Sequence, residues 1–307
     1  MNIVFMGTPE FAVPCLRALV ESGETVSAVF SQPDKPKGRG YKLVPTPVKE
    51  YALSQGIAVY QPDSLKKGEQ AEEAVKVLRE IAPDLIVVVA YGKLLPREVL
   101  DIPKHFCINI HASLLPKYRG AGPIQWSILK VEKETGVTSM VLAEGMETGD
   151  MLLKSSVQIG ENETADELHD RLSELGAGLL LETVKAVYEG NVKAIPQDEG
   201  EATYAPMLTK DMCPIDFTKS AEEVHCQIRG LSSWPCATTV IGGKRLKVYR
   251  SELDGVRHEG APGEVCDKER FTVICGDGFG ITFTEVQAEG GKRMKTADFL
   301  RGNRLFG

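Results

Sequence analysis

The sequence predicts an α/β protein in which a Rossmann-like, doubly wound, mostly parallel sheet is followed by a small OB-like β-barrel domain. Short apolar segments alternate with helical patterns through residues 1–189, which favours a parallel sheet with helical crossovers. Residues 190–206 have weak periodicity and two prolines, so we interpret them as a linker. From residue 207 to residue 307 the apolar period becomes two, as expected of a separate β domain.

The composition is that of a globular protein. The 307 residues are 42% hydrophobic and 26% charged, with a net charge of −7, unlike disordered, collagenous or coiled-coil chains. No apolar stretch approaches the roughly 18 residues of a membrane span, and the first residues lack the basic n-region of a secretory leader. The seven cysteines include no C-x-x-C pair. We therefore expect free thiols, no membrane association and a cytoplasmic location.

The first strand, turn and helix occupy the place of a dinucleotide site but lack its residues. An apolar strand at residues 3–6 ends at Gly7, Thr8 is expected to cap the next helix, and Pro9 is expected to open it. The turn has one glycine where the fingerprint G-x-G-x-x-G has three, and Glu10 would face a pyrophosphate. Binding of NAD or FAD is disfavoured.

Residues 32–49 form a basic segment in an acidic domain. Four prolines and two glycines predict a long loop without regular structure. Two interpretations stay open here: a solvated loop, or a mobile arm for phosphates with Tyr41 as a stacking group. The basic residues of this segment are Lys35, Lys37, Arg39, Lys42 and Lys49.

The remaining elements follow from periodicity and turn residues. A hairpin is predicted where Gly242 and Gly243 separate residues 238–241 from residues 245–249, because two-residue glycine turns join antiparallel strands. The other predicted strands are residues 26–30, 57–60, 85–89, 106–110, 137–142, 151–157, 271–275 and 281–286, and the other predicted helices are residues 48–55, 69–82 and 164–189.

The densest polar cluster follows the predicted strand at residues 106–110. Alternation places Asn109 and His111 on one side of the chain where the strand ends, and open α/β sheets bind ligands at the carboxyl ends of their strands. A carboxamide and an imidazole there could donate two hydrogen bonds to one developing oxyanion. The alternative is an asparagine that caps a turn and a histidine that packs against a loop.

A further acid, Asp150, ends the turn Glu147-Thr148-Gly149-Asp150 between two predicted strands. An aspartate beside a glycine is commonly turn chemistry, but next to His111 it could orient the imidazole or relay a proton. Ser113 lies in no G-x-S-x-G elbow, and no residues have metal-ligand spacing. The sequence therefore gives no reason to expect a metal.

With these residues the chain resembles the folate-dependent formyltransferases, and among them the methionyl-tRNA formyltransferases of bacterial and organellar type. The Asn-x-His…Asp core and the Leu-Leu-Pro loop are common to the wider group, whereas the loop at residues 32–49 and the C-terminal β domain narrow the resemblance to the enzymes that act on tRNA. The resemblance runs along the whole chain through IVFMGTPEFA, QPDKPKGRGYKLVPTPVK, DLIVVVAYGKLLP, CINIHASLLPKYRGAGPIQW, ETGVTSM and METGD.

The resemblance implies transfer of a formyl group from 10-formyltetrahydrofolate, a co-substrate, to the α-amino group of initiator methionyl-tRNA. It implies a catalytic, folate-binding domain at residues 1–189 and a tRNA-binding domain at residues 207–307, with no tightly bound cofactor and no metal. We expect a monomer. The implied site residues are Asn109, His111 and Asp150 for catalysis, Ser113, Leu114, Leu115, Pro116, Val89, Ala90, Tyr91 and Gly92 for folate, and Lys35, Lys37, Arg39 and Lys42 for tRNA.

Two alternatives are kept. A formyltransferase for a small amine, such as an amino sugar or glycinamide nucleotide, would have the polar trio without the basic loop or the tRNA-facing β domain. A non-catalytic module that binds folate or RNA would normally lose one of the three polar groups. The sequence disfavours both alternatives, because the trio, the loop and the β domain are all present.

Overall fold

The computed structural model describes residues 1–37, 42–145 and 147–302, and only the backbone of Lys37 and Lys42. The strands are β1 (Asn2–Gly7), β2 (Thr25–Phe30), β3 (Lys35–Lys37), β4 (Lys42–Val44), β5 (Val59–Tyr60), β6 (Leu85–Val89), β7 (Phe106–His111), β8 (Glu134–Val141), β9 (Met151–Gln158), β10 (Ala237–Ile241), β11 (Lys244–Arg257), β12 (Val265–Asp267), β13 (Thr272–Ile274), β14 (Phe279–Ala288) and β15 (Met294–Lys295). The helices are α1 (Val13–Glu21), α2 (Pro47–Ser54), α3 (Glu69–Ile81), α4 (Arg97–Leu100), α5 (Pro123–Leu129), α6 (Ala165–Tyr188), α7 (Ala221–Gly230) and α8 (Thr296–Gly302).

The chain divides into two compact units. The first unit contains residues 1–120, 136–156 and 170–204, and the second contains residues 121–135, 157–169 and 205–307. Within the described part of the chain, no helix combines the length and the apolar content that a membrane crossing requires.

The first unit is built on a seven-stranded sheet with the order β5-β2-β1-β6-β7-β8-β9. The strands β5, β2, β1, β6 and β7 are parallel, and β8 runs antiparallel to β7. Strand order reverses between β1 and β6, which is the switch point where open α/β sheets commonly bind ligands. The predicted fold class, a Rossmann-like and mostly parallel sheet, is confirmed.

Helices cover both faces of this sheet. On one face, Leu78 of α3 packs in one buried cluster with Val4, Met6 and Ile86. On the other face, α6 passes so close to β7 that a Cβ at Gly176 would lie 3.1 Å from Ile110 Cγ2. Burial on both faces explains why β6 is a continuous apolar segment rather than an alternating one.

The second unit carries a six-stranded antiparallel sheet with the order β10-β11-β14-β13-β12 and with β15 paired to β14. The predicted hairpin is confirmed, because Ile241 pairs with Lys244 across the two glycines, whose φ angles of 57° and 73° suit such a turn. The helix α7 buries Val224 in the same cluster as Phe271 and Phe283. This sheet with its own core is the small β domain that the period of two predicted.

The prediction for the start of the first helix is wrong. Thr8 does not cap a helix that opens at Pro9: a 3₁₀ turn at Glu10–Ala12 comes first and α1 begins at Val13. The Thr8 hydroxyl is used elsewhere, since it accepts the N–H of Gln32 at 3.3 Å and donates to the carbonyl of Tyr91 at 3.1 Å.

The prediction that residues 32–49 lack regular structure is also wrong, because β3 and β4 form an antiparallel ladder. Pro36 lies in this ladder opposite Leu43. Each strand of a two-stranded ribbon has one edge without a neighbouring strand, so a proline, which has no N–H to donate, can be accommodated there. Pro47 opens α2 at its first position, and the Thr46 hydroxyl accepts the N–H of Lys49 as the cap of that helix. The prolines therefore suit a short hairpin and a helix start.

The cysteines allow a test of burial. Burial raises the pKa of the Cys15, Cys107 and Cys275 thiols to about 12, whereas Cys266 is the exposed cysteine among the seven. Because the thiolate is the reactive form, iodoacetamide at about pH 8 should modify Cys266 at least about 10²-fold faster than these three. Peptide mapping of native protein measures this, with Cys266→Ser as the control. Equally fast labelling of Cys15 would contradict the described core.

Candidate active site

Asn109 and His111 lie where β7 ends, at the carboxyl edge of the parallel sheet. Asn109 is opposite Val88 of β6 and Met140 of β8, and His111 is opposite Thr138. Both polar residues are largely buried, with 9% and 5% of their surface exposed. Within the described residues the Asn109 carboxamide has no hydrogen-bond partner, so its donors and acceptor are available to a ligand.

The ring of His111 is held at both nitrogens. Nε2 lies 2.9 Å from the carbonyl oxygen of Tyr118, and Nδ1 lies 3.2 Å from Glu147 Oε1. The sequence interpretation had Asp150 orient this ring, but the carboxylate at Nδ1 belongs to Glu147. Asp150 instead precedes β9, and its carbonyl accepts the N–H of Val141 at 2.9 Å.

The segment from Ser113 to Pro116 follows β7 directly and is fixed by its own polar groups. The Ser113 hydroxyl donates to the carbonyl of Lys117 at 2.6 Å. Thr138 Oγ1 donates to the Ser113 carbonyl at 2.7 Å and accepts the N–H of Leu115 at 3.1 Å. The Leu115 and Pro116 side chains are buried and Leu114 is half-buried, so the structure presents a rigid, partly apolar loop beside Asn109 and His111.

A lysine supports the same loop. Lys154 of β9 donates from Nζ to the carbonyl of Leu115. Burial lowers the pKa of this ammonium, and the carboxylate of Glu201 partly opposes that shift. The lysine is therefore a structural donor that reaches the loop from the neighbouring strand.

The segment from Val89 to Gly92 lies at the end of β6, next to the switch point of the sheet. The Tyr91 carbonyl accepts from Thr8 Oγ1 at 3.1 Å and from Gln32 Nε2 at 3.0 Å. Ala90 and Gly92 have positive φ angles of 46° and 76°, so the chain makes a tight turn there. The turn is thereby tied to the ends of β1 and β2.

Gly92→Ala is expected to destabilise the protein and to disturb this turn. A side chain at a positive φ costs about 1–2 kcal/mol, and a Cβ at Gly92 would also overlap Gln32 Nε2. Gly56→Ala is the matched control, because Gly56 has a φ of +70° and nothing within 4 Å of a Cβ. Urea unfolding of both variants measures the difference. Equal loss of stability would show that the Gln32 contact does not constrain the turn.

The basic loop is anchored at its base. Lys49 Nζ donates to Asp34 Oδ2 at 2.6 Å and to Gln61 Oε1 at 2.7 Å. Hydrogen bonds from Gln61 and Lys49 lower the pKa of the Asp34 carboxyl. The Lys49 ammonium is therefore paired within the protein, whereas the Lys35 side chain at the start of β3 is exposed. Arg39 and the side chains of Lys37 and Lys42 lie outside the described residues.

Three residues of the site were not predicted from the sequence: Glu147, Arg119 and Gln197. Arg119 has a fully buried guanidinium that binds Gln197 Oε1 at 2.9 Å and Glu199 Oε1 at 2.7 Å. Gln197 and Glu199 come from the segment interpreted as a linker, and their contacts with Arg119 lie within the first unit. No local pattern indicates this pairing, because it joins residues 78 positions apart. Across the described ranges, no cluster of three His, Cys, Asp or Glu side chains could hold a metal ion.

The parallel sheet with polar side chains at its carboxyl edge, together with the antiparallel sheet of the second unit, defines an α/β protein with an additional β unit. The chain belongs to the formyl transferase family: residues 1–184 match the family described as Formyl transferase, and residues 207–304 match its C-terminal domain.

Two sequence relatives show which members of this family the chain is similar to. The chain is 48% identical to the methionyl-tRNA formyltransferase of Alkaliphilus oremlandii over 99% of this chain and 97% of the relative. It is 50% identical to the methionyl-tRNA formyltransferase of Geobacter sulfurreducens over 99% of this chain and 95% of the relative. This protein is thus similar to methionyl-tRNA formyltransferases along nearly its whole length.

Solved structures share the fold. The N-formyltransferase of Helicobacter canadensis, in complex with folinic acid and dTDP-3-aminofucose, matches with a TM-score of 0.71 at 22% identity, over 92% of this chain and 98% of that chain. HypX of Aquifex aeolicus, in complex with tetrahydrofolic acid, matches with a TM-score of 0.65 at 19% identity, over 98% of this chain and 47% of that chain.

Proposed function

We propose that this protein transfers the formyl group of 10-formyltetrahydrofolate to the α-amino group of methionyl-initiator tRNA, and so produces N-formylmethionyl-tRNA for translation initiation. The observation that carries the proposal is the 48–50% identity to methionyl-tRNA formyltransferases over 99% of this chain. A role in translation and seven free thiols also support a cytoplasmic location. The monomeric state stays a prediction.

The folate is proposed to bind as a co-substrate, not as a resident cofactor, at the ends of β6 and β7. Leu114, Leu115 and Pro116 would supply apolar surface for the flat pterin, and backbone groups from Val89 to Gly92 would supply hydrogen bonds to its edge. The loop and the turn are already fixed by Thr138, Thr8 and Gln32. A preformed site of this kind spares the cost of ordering the protein when the folate binds.

The side chains at the end of β7 suit acyl transfer. When a neutral amine attacks the formyl carbon, a new carbon–nitrogen bond forms and negative charge develops on the formyl oxygen. Asn109 and His111 are proposed to donate to that oxygen. For His111 to do so through Nε2, the formyl oxygen must replace the Tyr118 carbonyl, which occupies Nε2 at 2.9 Å.

Asp150 is proposed to take part in proton transfer. The attacking amine becomes positively charged as it bonds to the formyl carbon, and it must lose a proton before the bond to the folate nitrogen breaks. A carboxylate at the start of β9 could accept that proton and return it to the leaving folate nitrogen. Asp150 stands next to Met151 of β9, and its carbonyl is bonded to β8, so its backbone has a fixed position.

The basic loop is proposed to select the acceptor. Lys35, Lys37, Arg39 and Lys42 would contact phosphates near the acceptor end of the tRNA, and Arg39 could also bind a phosphate or base through two hydrogen bonds. The anchor formed by Lys49, Asp34 and Gln61 supports this role, because Asp34 directly precedes β3 and the anchor fixes that end of the β3–β4 ribbon.

A direct assay tests the proposed function. The protein is incubated with 10-formyltetrahydrofolate and charged initiator tRNA, and the amino acid released from the tRNA is identified by mass. We expect N-formylmethionine, and no product when the folate is omitted. Absence of formylmethionine with folded protein would refute the proposal.

A further inference from the structure

In the described part of the chain, no group holds the Asp150 carboxylate through a hydrogen bond or an ion pair. The residue is half-buried at the end of the turn before β9. A carboxylate without partners is placed only by the backbone that carries it. The contacts of that backbone therefore decide whether the carboxyl group can reach the reacting atoms.

Hydrogen bonds hold this backbone at Asp150 and at the residue after it. The carbonyl of Asp150 accepts the N–H of Val141 at 2.9 Å. Met151 exchanges two hydrogen bonds with Ile195, each of 2.8 Å. These bonds fix the chain where β9 starts, and they leave the peptide bond before Asp150 to be fixed by another group.

Gln197 is that group. Its Nε2 donates to the carbonyl of Gly149 at 2.8 Å and to the carbonyl of Glu147 at 2.7 Å. The Gly149 carbonyl belongs to the peptide bond whose nitrogen is that of Asp150. A Cβ at Gly149 would overlap the carbonyl oxygen of Val141, so the turn lies directly against β8. Gln197 on one side and Val141 on the other thus leave the turn little room to move.

The orientation of the Gln197 amide is set by Arg119. Gln197 Oε1 accepts from Arg119 Nε at 3.1 Å and from Nη2 at 2.9 Å. A guanidinium only donates and backbone carbonyls only accept, so the amide cannot be turned over without losing all of these bonds. Arg119 is fully buried, and both of its Nη atoms also bind the Glu199 carboxylate. The amide therefore uses both of its N–H groups and both lone pairs of its oxygen.

We propose that Gln197 is a positioning residue for Asp150: its amide holds the peptide bond that precedes Asp150, so that the carboxylate stays within reach of the attacking amine. Gln197 is the half-buried residue in an otherwise exposed stretch from residue 193 to residue 201, as expected of a side chain that is turned toward the site. The inference rests on the proposed function for what Asp150 does, while the contact of Gln197 with the turn is independent of it.

Two substitutions separate the donors of Gln197 from its acceptor. Gln197→Met removes both, whereas Gln197→Glu keeps an oxygen for Arg119 and loses the two N–H donors. We expect kcat for formyl transfer to fall by about 10–100-fold in both variants, because a displaced reacting group lowers the rate of the chemical step. The KM for folate should change less than about threefold. Gln55→Met is the matched control, because Gln55 is an exposed glutamine at the end of α2, and its kcat should be that of wild type.

A double variant shows whether Gln197 acts through Asp150. Asp150→Asn removes the proton acceptor, so the addition of Gln197→Met should lower kcat further by less than about threefold. If Gln197→Met is not folded by urea unfolding, Gln197→Glu is used in its place. A loss that is equally large in the wild-type and Asp150→Asn backgrounds would overturn the proposal. So would a kcat within twofold of wild type in the folded Gln197 variants.

Hydrogen exchange gives a readout that needs no activity. The N–H groups of Val141 and Met151 are bonded on either side of Asp150. They should exchange at least about tenfold faster in Gln197→Glu than in wild type, whereas the amides of β6 should be unchanged and Gln55→Met should match wild type throughout. Unchanged exchange at Val141 and Met151 would show that Gln197 does not fix the turn, and would overturn the proposal.

The two proposals fail in different ways. If the wild-type chain did not formylate charged tRNA, the proposed function would fall, and hydrogen exchange would still decide whether Gln197 fixes the turn that carries Asp150. If the wild-type chain is active and the Gln197 variants behave as Gln55→Met in both measurements, the positioning role falls and the proposed function stands.

Discussion

Asn109→Ala and His111→Ala are each expected to lower kcat by roughly 10²–10³ or more, because each removes one donor to the oxyanion of the transition state. Folate affinity should change little, since the folate is proposed to bind mainly through Leu114, Leu115, Pro116 and the turn after β6. Asp150→Asn should also be severe, because an amide cannot accept the proton of the attacking amine. Single-turnover kinetics with saturating charged tRNA measures the chemical step directly.

Folding controls matter for these variants because Asn109 and His111 are buried in the first unit. Circular dichroism, urea unfolding and folate binding should show that each variant is folded and binds the donor. His111→Asn is a useful second variant, since it keeps a polar side chain at the end of β7. A His111→Ala enzyme that retained a tenth of the wild-type turnover would reduce His111 to a packing role.

Arg39→Ala combined with Lys42→Ala should remove about two phosphate contacts and lower transfer to tRNA by orders of magnitude. The loss of contacts should make tRNA binding less steep in salt by roughly one to two units of log–log slope. The larger effect on transfer follows if the loop also positions the acceptor end at the site, because a misplaced reactant lowers the rate of the chemical step. Folate binding should stay near normal, since the segment from Leu114 to Pro116 is unchanged.

The matched control for the loop removes the same charge elsewhere. Lys66 and Lys67 are two exposed lysines outside the loop, so Lys66→Ala with Lys67→Ala changes the net charge equally. That pair should leave both the salt slope and the transfer rate near wild type. If the Arg39 and Lys42 double variant behaved like this control, the loop would have no role in tRNA binding, and an acceptor smaller than tRNA would become the better explanation.

The fold was largely predictable because its main signals are local. The continuous apolar segment of β6, the alternation that puts Asn109 and His111 together in β7, and the glycine turn of the β10–β11 hairpin all follow from short-range patterns. The helix α7 was missed although Ser220 and Glu223 form a capping box at its start. That spacing is a sequence-level signal of a helix start and could have been used.

The tertiary contacts that hold the active-site residues in place were not predictable in this way. Arg119, Glu147 and Gln197 are brought together by tertiary contacts across 27 to 78 positions of the chain, as the bonds from Gly120 and Arg119 show. The turn Glu147-Thr148-Gly149-Asp150 offers two carboxylates, and sequence alone does not decide which one faces His111. The structure places Glu147 at Nδ1 because Gly120 holds its second oxygen.

The central claim is that the acceptor is the amino group of a charged initiator tRNA. The most direct measurement compares kcat/KM of the wild-type protein, with 10-formyltetrahydrofolate as donor, for charged initiator tRNA, charged elongator tRNA and a nucleotide-linked amino sugar. We predict that initiator tRNA is preferred over elongator tRNA by at least about 10²-fold and that the amino sugar gives no measurable transfer. Equal or faster transfer to the amino sugar would contradict the claim.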